Sequence, residues 1–217
     1  LRGIFMRRRT FSKMRKQLKN EHQEKIKVLG KDYILHGIAA CSEKIIKNLE
    51  DAIKKCDKMM CDIINSSPEL KKTFDIVTSI KGISLQNGVA MIVYTNNFSK
   101  FENVRQMLCF WGVAPFEHSS GTSVHGRTQT SFFANKMLKE LISDAAANSI
   151  RYNDKIKTYY NRLVNRGKMK GVALNNVKAK LINIVFTMVQ RGTKYDPNYD
   201  MIKTTNKQKA EILKNAC

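Results

Sequence analysis

Within ten residues of this chain fall His118, Ser119, Ser120, Ser123, His125 and Arg127. A serine hydroxyl can attack a phosphodiester when a neighbour removes its proton and nearby cations offset the charge that develops. His118 or His125 could orient such a hydroxyl, and Arg127 could hold the phosphate. The same composition also describes an ordinary polar turn, and local composition leaves both readings open.

A second chemistry lies further on. Residues 151–194 hold 11 basic residues and one acid, Asp154. Tyr152, Tyr159 and Tyr160 interleave with Arg151, Lys155, Lys157 and Arg162. Cations for phosphates and rings for bases or sugars make a nucleic-acid surface. The alternative is that the rings face a core, but neighbours such as Tyr159 and Tyr160 cannot both point inward from one helix. Metal chemistry has less support, because a metal nuclease needs several converging carboxylates. Between residues 69 and 195 the acids are Glu69, Asp75, Glu102, Glu117, Glu140, Asp144 and Asp154. Only Glu140 and Asp144 stand one helical turn apart, a spacing that suits a solvated face. No metal site and no cofactor are expected in this chain.

The whole-chain balance agrees with a polyanionic partner. The 217 residues carry 39 Lys+Arg against 18 Asp+Glu, a formal net charge of +21. That surplus points to nucleic acid rather than to small metabolites. A hydrophobic fraction of 42% supports a packed core and excludes wholesale disorder. Three prolines and 11 glycines exclude collagen-like and linker-dominated chains. The five cysteines are odd in number and form no C-x-x-C pair, which argues against a disulfide framework and for a reducing cytosol. The histidines are not at zinc-site spacing. No uninterrupted apolar run reaches the roughly 20 residues of a membrane span, so no membrane partner is expected. The chain opens on Leu1 rather than Met and lacks a signal-peptide core, which suits a piece of a longer protein.

The elements that position these residues read as helices. Residues 1–31 carry 11 basic and two acidic residues, with Phe11, Met14 and Leu18 at helical spacing, and read as a basic, mostly solvated helix ended near Gly30. Over 32–66 one heptad row is Leu35, Ser42, Leu49, Cys56 and Ile63, and a second is Ile38, Ile45, Ala52 and Met59. Ile46, Ile53 and Met60 widen the stripe. The pattern fits a dimerising coiled coil or a helix packed on its own domain. Ser66, Ser67 and Pro68 interrupt it, with Ser67 as a cap and Pro68 opening the next helix. Short helices follow at 69–79, 85–95 and 102–110. The joint Ile80-Lys81-Gly82-Ile83-Ser84 resembles a helix-hairpin-helix turn, which offers backbone N–H groups to phosphate, or it is a plain helical corner. Residues 115–131 read as a loop or short hairpin. Helices return at 135–150, 154–165 and 172–190, the last strongly apolar and stopped by Gly192 and Pro197.

The order of these features resembles the C-terminal domain of the Piv-invertase-related insertion-sequence transposases, a serine-bearing DEDD-type group. The resemblance covers roughly 74–196. It is carried by Phe98-Ser99-Lys100-Phe101, Gly112-Val113-Ala114-Pro115, Ser120-Gly121-Thr122-Ser123, Leu138-Lys139, Ala145-Ala146, Tyr160, Gly167-Lys168 and Lys180-Leu181. The basic and heptad arm before it is similar to the helical connector of the same proteins. Three places depart from the pattern. Phe133-Ala134-Asn135 stands where a basic residue, Gly and Asn are usual, Lys139 replaces an arginine, and Ser84 replaces the second hairpin glycine. Lysine keeps the charge of arginine but loses its two-pronged phosphate geometry.

The resemblance implies a DNA recombinase of bacterial mobile elements, acting in the cytoplasm at the nucleoid. It implies an N-terminal ribonuclease-H-like domain, absent from this chain, whose acidic tetrad binds magnesium, and a serine in the C-terminal domain that bonds covalently to DNA. Several members are guided by an RNA from the element itself. By motif position that serine is Ser120, with Ser119 the alternative and Ser123 a distant third. The DNA contacts expected are Lys81, Gly82, Gly121, Arg127, Lys136, Lys139, Arg151, Arg162 and Lys168. The architecture expected is mainly α: an arm over 1–67 that dimerises through 32–66, a compact helical domain over 68–197, and a polar tail over 198–217. The competing function is a non-catalytic helix-hairpin-helix module that binds nucleic acid.

Overall fold

The structure, a computed structural model, describes residues 1–30, 37–120, 124–130 and 134–198, with backbone alone over 117–120 and 124–128. The polar tail expected from 198 onward otherwise lies outside the described residues. The fold is mainly α. Contacts divide the chain into two units, residues 1–71 with 89–97, and residues 72–88 with 98 onward.

The first unit is built on α1 (Arg2–Leu29) and α2 (Ile38–Ser66). Gly30, at φ +54, ends α1. The two helices pack as an antiparallel pair with charged pairings spaced along the seam. Arg8 Nε lies 2.9 Å from Asp57 Oδ1, and Arg15 Nη1 lies 3.5 Å from Glu50 Oε1. His22 Nε2 lies 3.6 Å from Glu43 Oε1, an ion pair when the imidazole is protonated. Each pairing steps seven residues up α1 and seven down α2, as a heptad-registered pair requires.

On α2 the row 42/49/56/63 lies on the seam as expected, and the second row is displaced by one residue, from 38/45/52/59 to 39/46/53/60. Ala39, Ile53 and Met60, with half-buried Ile46, form one row; Cys56, with half-buried Ser42, Leu49 and Ile63, forms the other. Ile38, Ile45 and Met59 stay 49%, 45% and 50% exposed. One residue is 100° of rotation. Two apolar rows lay side by side, and the facing helix chose between them. On α1, Phe5 is buried, Phe11 and Leu18 are half-buried, and Met14 is exposed. The unit also holds the end of α4 (Leu85–Thr95). Val89, Ala90, Met91 and Ile92 there are buried in succession, so this stretch is enclosed on all sides. Tyr94 meets Phe5 edge-on at 6.3 Å, with Arg2 5.5 Å above its ring.

The second unit surrounds α8 (Lys170–Arg191), against which α5 (Val104–Phe110), α6 (Lys136–Tyr152) and α7 (Asp154–Asn165) pack. Val177, Leu181, Ile182 and Val185 of α8 are fully enclosed with Leu138, Ile142, Ala145 and Ala146 of α6. Each of the Val, Leu and Ile side chains among these contributes about 1.5–3 kcal/mol by leaving water. By length and composition alone α8 could cross a membrane. Its apolar face is core, and Lys178 and Lys180 interrupt it. Asparagines start three helices by accepting backbone N–H groups: Asn103 for α5, Asn135 for α6 and Asn153 for α7. Helix α3 (Pro68–Thr78) opens on the expected Ser67 and Pro68, with Leu70 N donating to Ser67 Oγ at 3.4 Å. The stretch read as a loop or hairpin is a hairpin, β1 (Pro115–Ser120) antiparallel to β2 (Val124–Thr130).

Candidate nucleic-acid interface

The hairpin carries the serines, and its two ends are held by different elements. Entry is through Gly112-Val113-Ala114-Pro115. Gly112 sits at φ +66, and a Cβ there would overlap the side chain of Ala134. Only glycine permits this approach of the strand entrance to the start of α6. The Val113 carbonyl accepts a hydrogen bond from Asn175 Nδ2 of α8 at 3.1 Å. At the exit, Lys139 Nζ of α6 donates to Thr130 Oγ1 at 2.8 Å. The hairpin base is therefore clamped between α6 and α8.

In register, Ser120 pairs with Val124, Ser119 with His125, and His118 with Gly126; an irregularity follows Phe116. Ser119, Ser120 and Arg127 are described as backbone only, and Gly121 and Ser123 lie outside the described residues.

Lys139 has a cationic neighbour that the sequence reading missed. Burial, and secondly the charge of Lys139, push the Lys178 ammonium below its ordinary pKa. A partly buried ammonium held beside a second cation makes a site that an anion would relieve. Lys178 lies one helical turn from Asn175, the residue that holds the strand entrance. Its sequence signal was a charge inside an otherwise apolar helix, overshadowed by the reading of that helix as core.

The other expected contacts are distributed over the same unit. Lys136 is exposed on the first turn of α6, Arg151 is exposed on its last, and Lys168 is exposed between α7 and α8. Arg162 stands 5.4 Å over the Tyr159 ring, which also takes Lys180 at 4.9 Å. Tyr159 and Tyr160 are both half-buried and Tyr152 is 66% exposed, so no ring of this set is committed to the core. Lys81 is exposed on the 80–84 corner, where Ile83 N donates to the Ile80 carbonyl. Beside it Gly82, at φ +107, faces α6, and a Cβ there would overlap the Ser149 backbone. Packing thus accounts for that glycine. Ser84 begins α4, accepting from Asn87 N at 3.4 Å, which gives a reason for serine in the second glycine's place. Among the described residues no group of three or more His, Cys, Asp or Glu is placed to hold a metal.

Residues 74–161 match a family profile described as the transposase IS116/IS110/IS902 family. Over 152 residues the chain is 24% identical to the pilin gene-inverting proteins of Moraxella lacunata and Moraxella bovis, covering 70% of this chain and 47% of each relative. It is 28% identical over 133 residues to the insertion element IS110 uncharacterized 43.6 kDa protein of Streptomyces coelicolor, covering 61% and 33%. The chain thus spans about half the length of the first of these relatives.

Proposed function

We propose that this chain is the DNA-binding, serine-bearing portion of a transposase or site-specific recombinase. The match of 74–161 to a transposase family carries the reading. The clamp of the serine hairpin between Lys139 and the α8 segment with Asn175 and Lys178 supports it. In this reading Ser120 Oγ attacks the phosphorus of a DNA phosphodiester. An Oγ–P bond forms and the bond from phosphorus to one deoxyribose oxygen breaks. The serine proton passes to a base, and the leaving oxygen is protonated. Lys139, Lys178, Lys136 and Arg127 hold the phosphate and offset its charge. Magnesium, an acidic tetrad and a guide RNA belong to the rest of a longer protein and its element. The chain alone binds nucleic acid without recombining it. Self-association of the arm would use the exposed Ile38, Ile45 and Met59, because α1 occupies the other seam. The protein acts in the bacterial cytoplasm at the nucleoid.

The test uses the whole protein with magnesium and nicked DNA from its element ends. A protein–DNA adduct on the 115–131 peptide is expected, lost in Ser120→Ala. Loss in Ser119→Ala instead moves the role one residue, to the serine paired in register with His125. Unchanged recombination by both variants would falsify a serine nucleophile here and leave a non-catalytic nucleic-acid module.

A further inference from the structure

The basic face of α7 and α8 contains a cavity to which the serine reading gives no role. It has a volume of about 600 Å³, within the roughly 300–1,000 Å³ of sites that take small ligands. Lys155, Lys180, Arg191 and Lys194 line it against one acid, Asp196. The rest of the lining is largely apolar, from Ile156, Ile184, Met188 and Pro197. Ile156 and Met188 are 1% and 7% exposed, so they form a fixed floor.

The third wall is built rather than incidental. Gly192, at φ +66, turns the chain back at the end of α8, and Thr193 N donates to the Met188 carbonyl at 3.1 Å. Tyr195 N then donates to Ser79 Oγ at 2.9 Å, and Tyr195 Oη reaches Asn153 Oδ1 at 3.5 Å. The wall is pinned at both ends of one residue, so its place does not depend on a ligand.

Four cations around an apolar floor suit a ligand with an anionic edge and a flat apolar body. A plain phosphate would leave the floor uncovered, and a purely apolar ligand would make no use of the cations. A duplex offers phosphates only at its outer surface and cannot enter. We propose that this cavity takes one unpaired nucleotide of the DNA strand, its base against Ile184, Met188 and Tyr195 and its flanking phosphates on Lys155, Lys180, Arg191 and Lys194. Drawing a base from the stack costs a few kcal/mol, least where it is already unpaired, so the cavity selects distorted or bulged DNA. The inference rests on the DNA-binding reading above and adds where and in what form the strand is held.

The experiment measures binding of the full chain to matched DNA hairpins with one 2-aminopurine, either paired or bulged. Affinity and 2-aminopurine fluorescence are read together. The bulged probe should bind about tenfold tighter, with a fluorescence change on binding. Thr187→Trp, at an exposed position on the cavity lining, should remove the preference by occupying the space. Lys194→Ala should weaken it severalfold, and circular dichroism checks that both variants fold. Equal affinity for both probes would overturn the cavity assignment and leave general DNA binding standing. Binding of neither probe would overturn both. A preference retained in Thr187→Trp, or a stronger one for the same bulge in RNA, would overturn the site or its DNA ligand.

Discussion

The α1–α2 pair and the α8-centred unit bury side chains by different rules. Along α1, Arg8, Arg15 and His22 take every seventh position of the seam, each answered by an acid on α2. Their apolar share is small: Phe5 on α1 and Ala39, Ile53, Cys56, Met60 and Ile64 on α2 are the buried side chains. Around α8 the centre is apolar, and the charges stand at its margin. Partly exposed ion pairs contribute up to about 1 kcal/mol each and fade with salt, whereas buried aliphatic side chains do not. The α1–α2 pair leans on charge and is weakly held. The α8-centred unit is strongly held, as suits a platform for a hairpin clamped at its base.

The sharpest way to break this contrast is in the apolar centre. Ile182→Ala should lower stability by about 3 kcal/mol in denaturant unfolding; a loss under 1 kcal/mol would mean that the centre is looser than described. Gly82→Ala comes next, at about 2 kcal/mol, because both its φ and the Ser149 backbone oppose a side chain. Asp57→Asn should cost about 1 kcal/mol at low salt, with the difference shrinking at high ionic strength. A difference independent of salt would show that packing, and not charge, holds the arm.

The smallest effect has the opposite sign. Lys178 has a lowered pKa when folded, from burial and then from Lys139. Below that pKa it is charged in both folded and unfolded states, and burying the charge opposes folding. As pH rises through the folded pKa, the folded state sheds its proton first and stability rises. Lys178→Met should therefore raise the denaturation midpoint at neutral pH, by a margin that narrows in alkali. The same variant should bind DNA more weakly, with a salt dependence shallower by about one. Weaker folding with unchanged DNA binding would remove Lys178 from the interface.

Which parts were legible in the sequence follows the same division. The bounds of helices such as 85–95 and 154–165 were readable to the residue. On α2 the seam was not, because rows 38/45/52/59 and 39/46/53/60 are both apolar. The choice was made by Arg8, Arg15 and His22 on another helix. At the site, Lys139 was legible as a charge near the serines, whereas Lys178 met it only through the fold, across 39 positions of chain. Gly82 was legible as the glycine of a corner offered to phosphate, but not that it packs against Ser149.

The repeat of charges along the arm behaves like a coarse ruler. Slide α1 by one heptad along α2 and Arg8 comes opposite Glu50 and Arg15 opposite Glu43, with two of the three pairings remade. Electrostatics thus sets the graduations but not the reading. How far the helices overlap is left to the end residues, Phe5 among them. The arm is a length that can be reset in whole steps by changing its ends.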